Sequence, residues 1–385
     1  MRRRALELAV ATLSLAFVPR ALADAGAFDP SRLAPPVALA IDRDAQRPEG
    51  EWGLVTDQMA ILGLGQIVLA HPETRERWVP VMEKAARHMM RPSQRAFATR
   101  AWGSDGLDHL DDARGEAWLG WPDVALSMLR LVHPETPLAG LNDRITDALE
   151  RRISTAPHGL IETYPGQSFP TDVAACVAAI ALRARATHVD RSALVSAWTH
   201  TLRAVWIDPA SGYLWQQGDA RTGGHRDAPR GSGTAVTAYF LSFVDPDVSR
   251  DLTFALERHE VTVLGFSAIR EYAEGYDGVG DIDSGPVILG TSVTATGFTV
   301  GAALANGRNE LATRLLRTTR SFGVASSTGT GVEFAAGGAL GNAILLAQLS
   351  AVPSHELDTS RRDQRRSTHG GAVSSTHGTR SRSGT

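Results

Sequence analysis

Several apolar segments of this 385-residue chain have a carboxylate just before them or near their start. A carboxylate at such a position either takes part in catalysis or caps a helix. Asp281 and Asp283 lie two residues apart in "GDIDSGP", which precedes a run of small and apolar residues. Asp172 opens "TDVAACVAAIALRARA", and Asp57 lies in "LVTDQMAILGLGQIVLA". A positioned carboxyl group transfers protons, and a carboxylate is also a nucleophile. Aspartate before a Gly-Pro pair has equally the form of an N-cap, so we expect Asp283 to begin a helix, with any chemistry added to that duty.

A second group of candidates combines aromatic rings with a histidine and an arginine. The segment "WGSDGLDHLDDARGE" contains His109 among five acids, which indicates either a proton-transfer residue or a solvated loop. Aromatic rings bind apolar faces and developing cations, and an arginine binds polar groups. The pocket-lining candidates are Trp52, Tyr164, Trp215, Arg230 and Tyr276. The alternative for the rings is packing at the ends of an alanine-rich core.

The elements that carry these residues repeat along the chain. "His-Pro-Glu-Thr" occurs in 68–78 and again in 130–140, 62 residues later, each time between an apolar and an amphipathic helical run. The proline is expected to end one helix, and Glu-Thr to open the next. Apolar runs at 54–69, 117–132, 171–186, 233–244, 285–305 and 334–352 are paired with amphipathic runs at 74–90, 138–154, 190–206, 248–259 and 307–321.

This alternation predicts an all-α fold with two layers. A helix that is apolar on every side must be buried, whereas its partner exposes one face to water. Six buried helices with amphipathic partners predict an (α/α)6 toroid, also called a six-hairpin barrel, with segment 27–50 as an outer helix that closes the ring. The alternative is an open α-solenoid, which irregular repeat lengths and long loops disfavour. Parallel inner helices would gather their N-termini, and the candidate residues before them, at one end of the ring.

The two ends of the chain differ from its centre. Residues 1–25 have a basic start, an apolar run and small residues at cleavage spacing, which predicts a signal peptide and export to the periplasm or beyond; an uncleaved anchor is the alternative. Residues 26–355 would form the toroid, and residues 356–385 a disordered basic tail. The net charge of the whole chain is −3, and segments 1–25 and 360–385 carry +2 and +5. Residues 26–359 therefore carry a net charge of about −10, which argues against a nucleic-acid partner.

The single cysteine, Cys176, excludes an internal disulfide and any cysteine-based metal centre. No phosphate-binding loop, dinucleotide fingerprint or zinc-helix motif occurs, and a calcium loop fits the acidic segment poorly. We therefore expect neither a metal nor a cofactor. No later segment is an uninterrupted apolar run of membrane length, so no stable membrane span is expected after signal cleavage.

Short patches resemble a known family. "GLIETYPGQSFPTDVAA", "WIDPASGYLWQ", "RGSGTAVTAYFLSFVDP" and "DIDSGPVILGTSVTATGF" resemble bacterial exported six-hairpin proteins of the linalool dehydratase/isomerase domain family, over about residues 50–350. The resemblance implies a toroid fold and cofactor-free acid/base chemistry with cysteines in a central cavity. This chain departs from that pattern, because Cys176 lies well inside a predicted helix and Thr171 stands near the helix start.

Three functions follow as hypotheses. The leading one is a cofactor-free lyase, hydratase or isomerase acting on a small, partly apolar alcohol, with Asp57, His109, Asp172 and Asp283 as the proton-transfer residues. The first alternative is a glycoside hydrolase or polysaccharide lyase with a saccharide substrate, because an acidic, aromatic funnel suits sugars. The second alternative is a non-catalytic binding protein of the cell envelope.

Overall fold

The computed structural model describes residues 29–43, 48–329 and 331–353. The predicted signal peptide, the whole predicted tail and the ends of the predicted 26–355 domain lie outside these residues. The helices are α1 Ala34–Asp42, α2 Gly50–Ala70, α3 Arg75–Met89, α4 Pro92–Trp102, α5 Gly120–Val132, α6 Ala139–Ser154, α7 Pro170–Thr187, α8 Ser192–Thr201, α9 Gly231–Leu241, α10 Pro246–Arg258, α11 Val293–Ala305, α12 Asn309–Phe322 and α13 Gly338–Leu349.

The predicted (α/α)6 toroid is confirmed. Helices α2, α5, α7, α9, α11 and α13 each pack on the next in that order, and α13 packs back on α2 to close the ring. Helices α1, α3, α6, α8, α10 and α12 alternate with them along the chain, and α1, α3, α6 and α10 each pack on two neighbouring inner helices. Helix α4, which the sequence pattern did not predict, packs on α2 and α3.

Small residues let the inner helices approach closely. A Cβ atom on Gly63 of α2 would lie 2.8 Å from the backbone nitrogen of Ala347 in α13. A Cβ atom on Gly120 of α5 would lie 2.6 Å from the backbone nitrogen of Cys176 in α7. Real Cβ atoms do not approach backbone that closely, so a larger residue would push the two helices apart. Gly63 and Gly120 are therefore a packing requirement of the ring.

Burial follows the predicted division between layers. Nearly every residue of α2 from Gly53 to Leu69 is buried, whereas in α12 Leu311, Ala312 and Leu315 form a narrow buried stripe. Among the described helices, α2 is the one long and apolar enough to cross a membrane, and 89% of its apolar stretch is buried inside the protein. Burial in the ring accounts for its composition.

The start of the fifth inner helix differs from the expectation. Helix α11 begins at Val293 and not near Gly285, and Ser292 is its N-cap, accepting a hydrogen bond from the Ala295 backbone. The expectation that Asp283 caps this helix was therefore wrong. Gly285 has a φ of +64°, which is left-handed backbone that cannot belong to an α-helix.

Short antiparallel sheets lie in the described loops, beyond the all-helical pattern that the sequence predicted. The four-stranded sheet has the order β3–β4–β6–β5, and the two-stranded sheets pair β1 with β2 and β7 with β8. The strands are β1 Leu214–Trp215, β2 Pro229–Arg230, β3 Glu260–Val263, β4 Phe266–Arg270, β5 Val287–Ile288, β6 Thr291–Ser292, β7 Ala325–Ser327 and β8 Val332–Phe334. Strands β1, β2, β5 and β6 precede inner helices and shape the end of the ring where those helices begin. We call that end the mouth.

Candidate active site

Acidic and phenolic side chains from three different helix entrances meet at the mouth. The Tyr164 hydroxyl, from the loop before α7, donates a hydrogen bond of 2.8 Å to Oε1 of Glu51 in the first turn of α2. Asp172 lies in the first turn of α7, and Asp283 lies in the loop before α11. Burial raises the pKa of both Asp172 and Tyr164, and the negative charges of Asp283 and Glu51 raise both further, so the four groups form one electrostatic cluster.

Two donors hold the Asp172 carboxylate. Trp121 Nε1 donates to Oδ1 at 2.8 Å, and Thr163 Oγ1 donates to Oδ2 at 2.6 Å. Thr163 is itself held, because Trp102 Nε1 donates to its carbonyl oxygen at 3.0 Å. Burial raises the pKa of Asp172 to about 6; the two donors oppose this, and the charges of Asp283 and Glu51 add to it. Asp172 is therefore an oriented carboxyl group that titrates near neutral pH.

Asp283 has a different environment. Within the described part of the chain no group donates a hydrogen bond to its carboxyl oxygens, and the side chain is exposed at the mouth. Protein atoms surround much of this carboxyl group, although solvent still reaches it. Partial burial, followed by the charges of Asp281 and Glu51, raises the pKa of Asp283 to about 6, and the charge of Arg230 opposes the rise. Asp283 is thus a solvent-accessible acid whose proton is available near neutral pH.

Aromatic rings line one side of the mouth. Trp215 in β1 stacks on His225 with ring centroids 4.2 Å apart and planes 10° from parallel. Tyr276 packs edge-on against Trp215 at 6.0 Å, and both rings are half-buried. Below Asp172, Trp121 packs edge-on against Phe240 of α9 at 5.4 Å. The predicted rings Trp215 and Tyr276 are therefore adjacent in the structure.

Arg230 lies near these rings. The sequence suggested that it binds a polar group of a ligand, but its guanidinium is not accessible to one. It is 2% exposed, its Nε donates to Glu271 Oε1 at 2.7 Å, and its Nη1 donates to Asp281 Oδ2 at 2.5 Å. A guanidinium held by two carboxylates binds protein rather than substrate.

Asp57 does not join the cluster at the mouth. It is fully buried, and its Oδ2 lies 2.6 Å from Nδ1 of His88, which is 4% exposed on outer helix α3. This contact turns Asp57 toward the outer layer, which corrects the expectation that it would converge with Asp172 and Asp283. Trp52 is half-buried in the first turn of α2, beside Glu51.

His109 also lies apart from the cluster. Its Nδ1 is 2.8 Å from Oδ2 of Asp112, and its carbonyl oxygen accepts a hydrogen bond from Arg152 on outer helix α6. Asp111, the neighbour of Asp112, is fully exposed and lies 3.6 Å from Arg151. Asp111 and Asp112 are therefore exposed, as the solvated-loop alternative predicted, whereas Glu116 at the end of the segment is fully buried, 3.3 Å from Arg152.

Sequence reasoning gave too little weight to three contributors to the site. Glu51 has the signal that applied to the others, a carboxylate at the entrance of an apolar helix, yet was not chosen. Trp121 was not among the pocket-lining candidates, and Thr163 has no signal in the sequence. Among the described residues, no three His, Cys, Asp or Glu side chains are grouped closely enough to hold a metal ion.

The fold resembles solved structures of glycoside hydrolases. A GH76 α-mannanase from Bacteroides thetaiotaomicron superposes with a TM-score of 0.51 and 9% identity, over 88% of this chain and 98% of the other. The GH76A α-1,6-mannanase from Salegentibacter sp. HEL1_6 gives a TM-score of 0.52 and 12% identity, over 86% of this chain and 100% of the other.

An inactive variant of the Salegentibacter enzyme, with two consecutive aspartates replaced by asparagine, was solved with α-1,6-mannotriose and has the same TM-score, 0.52. That match has 12% identity and covers 84% of this chain and 99% of the other. At such identities the likeness establishes the six-hairpin fold alone. No protein-family model matches the chain, and no curated protein does.

Proposed function

We propose that this protein is a glycoside hydrolase of the six-hairpin class that cleaves an oligosaccharide at the mouth of the toroid. The observation that carries the proposal is the electrostatic cluster of Glu51, Asp172 and Asp283, which come from separate helix entrances at the end of the toroid that also carries the aromatic pair of Trp215 and Tyr276. Glycoside hydrolysis needs a pair of carboxyl groups in different protonation states on either side of the scissile bond. The solved mannanases of the same fold act on α-mannan, which supports a saccharide substrate.

The environments of the two aspartates suggest their roles. Asp283 has a raised pKa and no hydrogen-bond donor on its carboxyl group, so it is suited to hold a proton and give it to the leaving oxygen as general acid. Asp172 is held by two donors on its two oxygens, which suits a carboxylate that acts as base or nucleophile. Because the two groups interact, their protons belong to the pair, and we expect a bell-shaped activity profile with its optimum near pH ~6.

The substrate would lie across the mouth with a sugar face against Trp215 and Tyr276. Rings of this kind bind the apolar face of a sugar, and Glu51 and Tyr164 would accept and donate hydrogen bonds to its hydroxyl groups. The acidic body of the protein favours a neutral saccharide over an anionic one. The expected substrates are therefore neutral oligosaccharides, and α-linked mannosides are the first to test. The predicted export would place the enzyme where such saccharides occur.

The dehydratase-type hypothesis has less support. Cys176, the single cysteine of the chain, is fully buried, and its Sγ lies 3.3 Å from the carbonyl oxygen of Ala117, between α7 and the start of α5. Burial raises the pKa of its thiol well above the usual value, so the thiol stays protonated. The non-catalytic alternative is disfavoured by two interacting acids with raised pKa values, which a binding site does not need.

The test is hydrolysis of an oligosaccharide panel, including α-1,6-mannotriose, by the purified protein and by Asp172→Asn and Asp283→Asn. We expect each variant to lose at least ~100-fold in kcat, the usual contribution of a positioned acid or base. The matched control is Asp112→Asn, which should keep activity within about twofold. Asp112 lies at the outer rim and belongs to the one pair of consecutive aspartates in the sequence. Unchanged turnover in both test variants, or loss only on changing Asp111 and Asp112, would remove the mouth acids from the mechanism.

A further inference from the structure

The loop that carries Asp283 is held to the protein by polar contacts rather than by apolar burial. Val279 and Ile282 are 93% and 72% exposed, so the large side chains next to the acids contribute almost nothing to a core. A loop of this kind, placed beside other carboxylates, should swing outward, because Glu51 and Asp172 repel a charged Asp283. Some other interaction must hold the Asp283 carboxyl group at the mouth.

Arg230 provides one end of that interaction. Its guanidinium is buried and bound to Glu271, which is fully buried and also accepts hydrogen bonds from the hydroxyl group and backbone nitrogen of Ser232 at 2.7 and 3.2 Å. Glu271 follows β4, and Ser232 lies in the first turn of α9, so the guanidinium is fixed to the body of the toroid. The guanidinium carbon of Arg230 also lies over the Tyr272 ring, 5.6 Å from its centroid, and this cation–π contact restrains the guanidinium further.

Asp281 provides the other end. Its Oδ2 accepts the bond from Arg230 Nη1, and its Oδ1 accepts hydrogen bonds of 3.0 Å from the backbone nitrogens of both Asp283 and Ser284. One carboxylate thus ties the buried guanidinium to the backbone that bears Asp283. On the far side of the turn, the Ser284 carbonyl accepts a bond of 2.8 Å from the hydroxyl group of Ser292, the N-cap of α11.

We propose that Arg230 and Asp281 are a positioning pair that holds Asp283 at the mouth, within electrostatic range of Asp172, and that Arg230 is not a substrate ligand. This inference rests on the proposed function for its catalytic consequence, but its geometric claim concerns the protein without substrate. The pair is placed to resist the mutual repulsion of the mouth acids, since releasing it would let Asp283 move into water.

The pKa of Asp283 depends on its burial and on the charges around it, and therefore changes when the group moves. The charged groups that act on it are Asp281 in its own loop, Glu51 of α2, Arg230 of β2 and Glu271 after β4, and Asp283 in turn acts on Asp172 and Tyr164. Asp281→Asn removes a neighbouring negative charge and the ion pair that restrains the loop. Both changes favour ionised Asp283, so its pKa should fall from about 6 toward its ordinary value of 3.8, by about one unit or more.

The experiment is carboxyl NMR titration of Asp283 in the free, full-length protein, compared between the native chain, Asp281→Asn and Asp227→Asn. Asp227 is the matched control, because its carboxylate also faces Arg230, at 3.5 Å, but is not bonded to the turn of residues 281–284. We expect the pKa of Asp283 to fall in Asp281→Asn and to stay unchanged in Asp227→Asn. Asp281 is 40% exposed, so its replacement should leave the fold intact, whereas Arg230→Gln would strand the buried Glu271.

A second measurement, amide hydrogen exchange in Asp281→Ala, keeps the inference testable without any substrate. The amides of Asp283 and Ser284 should exchange about tenfold faster or more once their acceptor is gone. In an active enzyme Asp281→Asn should lower kcat by ~10-fold or more with little change in KM, because a misplaced acid affects the reaction more than binding. Unchanged Asp283 titration and unchanged exchange would overturn the positioning pair, whereas absence of hydrolysis in the native protein would overturn only the proposed function.

Discussion

Asp123, a buried acid that faces outer helix α6, gives the most quantitative prediction. Asp123 of α5 is fully buried, its Oδ1 accepts from Asn142 Nδ2 at 2.8 Å, and its Oδ2 lies 2.7 Å from Thr146 Oγ1. The Thr146 hydroxyl has one hydrogen but two close acceptors, Asp123 and the Asn142 carbonyl oxygen at 2.8 Å. If Asp123 is protonated it donates to Thr146, which then donates to Asn142, and every close contact has a hydrogen.

The same burial raises the pKa of Asp123 from 3.8 to about 7. A raised folded-state pKa means that the folded protein binds the proton more tightly, so this contribution to stability is complete below pH ~4 and is lost as the pH rises to ~7. The whole difference is about 4 kcal/mol, of which about 2.5 kcal/mol falls between about pH 5 and about pH 8. Asp123→Asn reproduces the hydrogen-bond pattern of the protonated acid but does not titrate.

The assay is urea unfolding of the native chain and Asp123→Asn at about pH 5 and about pH 8. At pH ~5 the unfolding free energy of Asp123→Asn should equal that of the native chain or be lower by about 1 kcal/mol, because one hydrogen of the new amide lacks a partner. Near pH ~8 it should be the more stable protein by about 2 kcal/mol. An equal dependence of unfolding free energy on pH in both proteins would refute the protonated assignment, and Asp147→Asn, a surface change on α6, controls for net charge.

Two further predictions concern packing and the Asp172 clamp. Gly120→Ala should destabilise the protein by at least about 2 kcal/mol in urea unfolding, because its Cβ would meet the Cys176 backbone, whereas Gly297→Ala, on an inner helix with open space at that position, should stabilise it by about 0.5–1 kcal/mol. Equal effects would refute close contact as the reason for glycine. Thr163→Val removes one donor, so the pKa of Asp172 should rise above about 6 in carboxyl NMR; a fall would contradict the clamp.

Local pattern in the sequence determined most of the ring. The six apolar helices and their amphipathic partners were predictable because burial of a whole helix or of one face leaves a periodic trace in the residues themselves. The His-Pro-Glu-Thr repeats marked two inner-to-outer turns correctly: α2 ends at Ala70 and α3 begins at Arg75, while α5 ends at Val132 and α6 begins at Ala139. Proline stops a helix through its own ring, which needs no distant contact.

The sequence pattern predicted the wrong start for helix α11, because two local signals compete there. Aspartate before Gly-Pro has the form of an N-cap, yet the chain turns through left-handed Gly285 and forms two short strands before α11 starts at Val293. Ser292 takes the capping role, which leaves the Asp283 carboxyl group without that duty and facing the mouth. No residue near Asp283 signals this, because the competing strand pairs with β4, an element from the preceding hairpin.

The sequence by itself determined that apolar helices must be buried in a ring and that acids and rings stand at their entrances. The tertiary structure decided which of those residues meet: Asp172 and Asp283 come together with Glu51, whereas Asp57 turns to His88 and Arg230 closes on Glu271 and Asp281. The physical reason is that helix periodicity fixes the face on which a side chain lies, whereas its partner is set by helix rotation and by loops whose contacts join residues far apart in the chain.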